Sequence, residues 1–263
     1  MGSGGGFNTA PSARSIGAIP QRLAPRAPHP VLLASVADLH EAEAAIRGGA
    51  DVLDLKDPRR GALGAAPLSL LREVIRLRDR IAPGLPVSAA LGAARDPRAA
   101  RLAAEAAALG CDFLKTSLER LPQDAVAVRA LERVSRAVVR VRYRAMTGRR
   151  ARAGTGAGSG TRLIAAGFAD AACALCPDTL RLPAIAAAAG FDGCLLDTAV
   201  KDGRSLFDHL PREAVAAFVR ACRERDLLCA LAGSLGPADL ASAAWCSADL
   251  IGARGALCDG GRS

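Results

Sequence analysis

Eight short apolar runs recur along this chain, each parted from the next by an alanine-rich stretch with helical spacing. The runs are VLLASVA (31–37), ADVLDLK (50–56), LPVSAAL (85–91), CDFLKTS (111–117), RLIAAGF (162–168), GCLLDTA (193–199), LLCALAGS (227–234) and LIGARG (250–255). Helices are expected over about 38–49, 67–81, 97–109, 122–138, 178–189, 207–223 and 237–244. Strands apolar along their whole length, alternating with helices, belong to a parallel sheet covered on both faces. Eight of them point to an α/β fold of one kind, a single (β/α)8 TIM barrel. A doubly wound sheet is the alternative. No eighth helix is visible after the last run, so the expected barrel lacks its last helix. Either an uncovered strand is tolerated, a neighbouring subunit of a homo-oligomer covers it, or the chain is truncated.

The chain divides into a disordered tail over 1–30, rich in Gly, Ser, Pro and Arg, and one barrel domain over 31–263. A flexible Arg/Gly insertion is expected at 140–161. Its glycines, at 154, 156, 158 and 160, do not form a dinucleotide fingerprint and follow no strand. The net charge of +9 resides in these two segments: Arg14, Arg22, Arg26, Arg140, Arg142, Arg144, Arg149, Arg150 and Arg152 stand there without one acid. The fold itself is close to neutral, and with 3% aromatic residues it offers few stacking surfaces, which argues against nucleic acid as a partner. No apolar run reaches the roughly 18 residues of a membrane span, and the N-terminus lacks the order of a signal peptide. A cytoplasmic location without membrane association is the expectation. Most of the eight cysteines lie inside apolar runs and read as reduced core residues. Cys173 and Cys176 form a CxxC with no second pair or nearby His, so neither a metal nor a redox centre is expected.

The chemistry is read from lysine. Only three occur among 35 basic residues: Lys56, Lys115 and Lys201, each at or just past the end of an apolar run. Arginine cannot replace an amine that must lose its proton, whereas a buried lysine can act as nucleophile or base. Strand alternation puts Asp54 and Lys56 on one face and Leu53 and Leu55 on the other. The leucines suit the helix layer, so the charged pair points into the barrel near its top. Lys115 shares its face with Phe113 and Ser117, Asp197 shares its face with Leu195, and Lys201 follows in the next loop. Three strand ends thus bring three amines and two carboxylates to the mouth where barrel active sites lie. Crowded amines suppress one another's protonation, which suits imine formation with a carbonyl compound. Gly233 and Ser234 after the seventh run, and Arg254 and Gly255 after the eighth, fit a phosphate site. Asp170, after the fifth run, is a further candidate substrate contact. His209 reads as a capping or positioning group at a helix start. The bottom-up reading is Schiff-base chemistry on a small phosphorylated carbonyl compound.

The motifs DVLDLKDPRRGALGA, LKTSL, AAGFADA, LLDTAVKDGRSLFDHL, CALAGSL and GARGALCDGG resemble (5-formylfuran-3-yl)methyl phosphate synthase. The resemblance spans about 31–260 apart from the 140–161 segment. It implies a lyase that condenses two glyceraldehyde 3-phosphate molecules, with loss of phosphate and water, in methanofuran-type one-carbon carrier biosynthesis. It places the Schiff-base lysine at Lys56 and a proton acceptor at Lys115, with Asp54, Asp197 and Lys201 assisting, and implies no metal or organic cofactor. In that scheme Asp54 orients Lys56. A class I aldolase acting on another sugar phosphate would need the same amine and phosphate loops.

Overall fold

A computed structural model describes residues 31–148 and 160–254. Eight parallel strands close into a barrel in chain order: β1 (Val31–Val36), β2 (Val52–Leu55), β3 (Val87–Ala93), β4 (Phe113–Ser117), β5 (Arg162–Phe168), β6 (Gly193–Asp197), β7 (Leu228–Leu231) and β8 (Leu250–Ala253). All eight expected strands are present, and the closed barrel excludes the doubly wound sheet. Helices α1 (Leu39–Arg47), α2 (Leu68–Ile81), α3 (Ala99–Ala108), α4 (Asp124–Gly148), α5 (Ala171–Ala174), α6 (Leu182–Ala188), α7 (Leu206–His209), α8 (Arg212–Arg223) and α9 (Leu240–Cys246) connect them. No described helix is long and apolar enough to cross a membrane.

Two apolar layers follow from strand alternation. Leu53, Leu55, Leu114, Leu163, Leu196 and Leu231 face outward, into the layer between strands and helices. Val52, Phe113, Ile164, Leu195 and Leu250 fill the lumen. Strands β2, β4 and β6 are buried at every position, and these three carry the candidate site.

The even strands are set in register by one repeated device. Asp51, Asp112, Asp192 and Asp249 each precede an even strand, and each carboxylate accepts a backbone N–H from the strand before it. The donors are Leu32 (3.0 Å), Val87 (2.8 Å), Leu163 (2.7 Å) and Cys229 (2.8 Å). The backbone N–H of each Asp donates in return to the carbonyl of that same residue. Two positions earlier stands a residue with positive φ: Gly49, Gly110, Gly190 and, in the fourth copy, Ser247 at φ 58. The barrel is thus four βαβ units, each clipped at its base.

Several helix limits differ from the expectations. α4 continues ten residues past Val138, so the first part of the 140–161 segment is helix rather than loop. The apolar spacing Val134, Val138, Val141 carries the helix on, with Val141 packed against the core. Residues 149–159 lie outside the described residues, as do the tail over 1–30, Gly255 and the region where an eighth helix was expected to be missing. The expected helix over 207–223 is two, because Pro211 has no N–H to continue α7 into α8. The expected helix over 178–189 opens as a 3₁₀ turn at Thr179–Arg181, capped by Asp178, before α6 begins.

Candidate active site

The charged residues enter the lumen one step above its apolar plug. In β2 the inward series is Val52, Asp54, Lys56; in β4 it is Phe113, Lys115, Ser117; in β6 it is Leu195, Asp197. Lys56 extends β2 by one residue, its N–H donating to the Val36 carbonyl at 3.1 Å.

Lys115 Nζ lies 2.5 Å from Asp54 Oδ2, and the two side chains are 5% and 0% exposed. The Ser35 hydroxyl donates to the same oxygen at 3.0 Å. Burial pushes the Asp54 carboxyl up, but the ammonium groups of Lys115 and Lys56, with support from the buried Ser88 hydroxyl, outweigh it and hold the group below the ordinary carboxylate range. Burial pushes the Lys115 amine down, and the like charge of Lys56 pushes the same way against Asp54 and Asp197. An amine lowered in this way releases its proton more readily than a free lysine does. The carboxylate that was expected to orient Lys56 therefore has Lys115 as its direct partner, because the lumen brings β2 and β4 side chains face to face.

Asp197 forms the second centre. Its Oδ1 accepts from Lys201 Nζ at 2.8 Å and from Thr198 N–H at 2.8 Å, while Lys201 Nζ also donates to Thr198 Oγ1 at 3.0 Å. Burial raises the Asp197 carboxyl, but Lys201 and Lys56 together with these bonds bring it below its ordinary value. The charge of Lys56 thus acts on Asp54, Lys115 and Asp197 alike. The five residues read from the sequence as catalytic form one electrostatic cluster.

The outer candidates fare differently. Gly233, at φ 106, packs on the turn after β6: a Cβ there would stand 3.0 Å from the Thr198 backbone nitrogen. Ser234 follows in the left-handed region at φ 52. Arg254 is held by Glu41 (Nη2 to Oε1, 3.1 Å), and its Nη1 is buried with no partner among the described residues. Glu41 is itself fixed at the start of α1, where Oε2 accepts from Ala37 N–H at 2.7 Å. Asp170, the further candidate substrate contact, accepts with both oxygens from the turn after β6: from the N–H groups of Ala199 (2.7 Å) and Val200 (2.8 Å). His209 ends α7 rather than beginning it; Ser205 and Asp208 form the capping box. Ser35, Ser88, Thr198 and Glu41 escaped the sequence reading. Ser88 lies within an apolar run, where an inward polar residue is the one available signal.

A family model described as 4-HFC-P synthase matches residues 32–263. The chain belongs to the 4-HFC-P synthase family. Curated relatives bear the name (5-formylfuran-3-yl)methyl phosphate synthase. Those of Methanocaldococcus jannaschii and of a Methanococcus maripaludis strain are each 36% identical over 233 residues, covering 88% of this chain and 91% of theirs. A Streptomyces griseus relative is 38% identical over 213 residues, covering 80% of this chain and 78% of its own. Among solved structures, a KGPDC from Streptococcus mutans aligns with a TM-score of 0.54 at 13% identity, over 86% of this chain and 87% of that one. Deoxyribose phosphate aldolase from Aeropyrum pernix aligns with a TM-score of 0.56 at 12% identity, over 85% of each chain. At such identity these neighbours establish the barrel alone, while the 4-HFC-P synthase family establishes the chain as a synthase.

Proposed function

We propose that this synthase condenses two glyceraldehyde 3-phosphate molecules to (5-formylfuran-3-yl)methyl phosphate through an imine on Lys56, in methanofuran-type carrier biosynthesis. Atoms balance with release of one phosphate and two waters. The observation that carries the reading is the convergence of Lys56, Lys115, Asp54 and Asp197 in one lumen, in a chain of this family.

The product's skeleton assigns the halves. The formyl carbon and two ring carbons come from one triose, and the phosphomethyl carbon and two ring carbons from the other. The leaving phosphate therefore belongs to the formyl half. An imine on Lys56 at the aldehyde carbon of that triose acidifies its C2–H, and β-elimination then expels the phosphate from C3. The resulting enol nucleophile forms the new bond from C3. Its acceptor is C2 of the second triose, which must have become a carbonyl carbon by proton movement from C2 to C1. The Lys115–Asp54 pair is the acid–base group for these proton transfers. Asp197 and Lys201 hold the leaving phosphate or the second triose. Arg254, with the turn at Gly233 and Ser234, holds the retained phosphate. Ring closure and loss of water complete the furan.

The reading is tested by incubating the protein with glyceraldehyde 3-phosphate alone. Near-ultraviolet absorbance and inorganic phosphate should rise together, one phosphate per furan, and neither should appear with Lys56→Arg. An aldol product without furan absorbance or phosphate release would replace the synthase reaction with that of an aldolase.

A further inference from the structure

Asp170 stands at the end of β5, at the N-cap position of the one-turn helix α5, yet its side chain makes no bond to that helix. Both oxygens reach sideways to the turn after β6, accepting from the consecutive N–H groups of Ala199 at 2.7 Å and Val200 at 2.8 Å. The residue is 8% exposed. Two charge-assisted bonds from one carboxylate to adjacent amides fix a backbone segment far more firmly than a neutral turn bond does. That segment begins at Asp197 and ends at Lys201, whose Nζ returns to Asp197 at 2.8 Å and to Thr198 at 3.0 Å. The backbone of Ala169, next to Asp170, also donates to the Asp197 carbonyl at 2.8 Å.

We infer that Asp170 is a positioning residue: it holds the 198–201 turn so that the Lys201 ammonium stands on Asp197 at the barrel mouth. It acts through backbone amides and touches no reacting atom. The catalytic consequence rests on the role proposed for Lys201; the positioning itself does not.

The test has one arm without substrate and one with it. In Asp170→Asn, one acceptor oxygen becomes an NH2 group facing a backbone N–H. Hydrogen exchange at the Ala199 and Val200 amides should accelerate at least tenfold relative to wild type. Labelling of Lys201 by formaldehyde and borohydride should rise severalfold relative to that of Lys56. Unchanged exchange and unchanged labelling would overturn the positioning role whatever the reaction is. In the second arm, kcat/KM for furan formation should fall by about a hundredfold, the scale of a small misplacement. Asp170→Asn should cost nothing further when added to Lys201→Ala, while imine trapping on Lys56 persists. Independent, multiplying losses from the two changes would overturn the coupling to Lys201. If wild type makes no furan, the functional reading fails and the first arm still decides. If Asp170→Asn does not fold, Asp170→Glu, which keeps the charge one methylene out of place, is read in the same way.

Discussion

Asp54 on β2 and Lys115 on β4 meet inside the barrel at 2.5 Å, with neither side chain open to water. Removing one partner of such a pair leaves a buried charge without compensation. Asp54→Asn and Lys115→Met should each destabilise the fold by about 3–5 kcal/mol in urea denaturation. The double variant should lose less than the two losses combined, since neither orphan then remains.

The two lumen carboxyls also set the acid limb of stability. Asp54 and Asp197 titrate below their ordinary value of 3.8 in the folded chain. Their contribution is complete above that value and is lost as pH falls through the folded one, where the native state must take up protons. Asp197→Asn should be less stable than wild type at neutral pH and show a smaller fall in melting temperature between pH 4 and pH 2. Lys115 acts in the same direction at higher pH, since its folded value lies below 10.5. Between the two values the unfolded chain binds the extra proton, so stability rises with pH there.

The fourfold clip at the base of the barrel predicts a stabilising change. Gly49, Gly110 and Gly190 occupy the positive-φ position in three copies, and Ser247 occupies it in the fourth. Ser247→Gly should raise stability by about 0.5–1 kcal/mol, because a left-handed conformation costs a residue with a Cβ more than glycine's entropy costs. Asp249→Ala should lower it by about 1–3 kcal/mol, leaving the buried Cys229 N–H without its acceptor. Chemical denaturation of the two variants checks both signs.

Much of this architecture is written locally and some of it is not. The strands were legible because each is apolar along its whole length, and alternation within β2 placed Leu53 outward and Asp54 inward. The three lysines stood out by their scarcity. The pairing of Asp54 with Lys115 could not be read, because it depends on which side chains meet across a closed lumen. The bonds from Asp170 to the turn after β6 could not be read either, because a carboxylate after a strand looks the same in sequence whichever neighbouring segment it reaches. The Gly-x-Asp repeat was present in the letters, but each copy resembles an ordinary helix end followed by a strand. The length of α4 was hidden by arginines, which are good helix formers and served there as a sign of a loop.

The Glu41–Arg254 pair makes a prediction about phosphate recognition. Arg254→Ala should raise KM for glyceraldehyde 3-phosphate about tenfold or more, since it removes the group proposed to hold the retained phosphate. Glu41→Gln should have a smaller effect in the same direction, because it loosens the guanidinium without removing it. Steady-state kinetics of the two variants, with inorganic phosphate as a competing inhibitor, separates binding from turnover.

Sodium borohydride added during turnover of glyceraldehyde 3-phosphate, followed by peptide mass spectrometry, addresses the imine directly. The account predicts a reduced triose-derived adduct on Lys56, absent from Lys56→Arg and still formed in Lys115→Met. An adduct confined to Lys115 or Lys201, or furan formation that survives in Lys56→Arg, would contradict it.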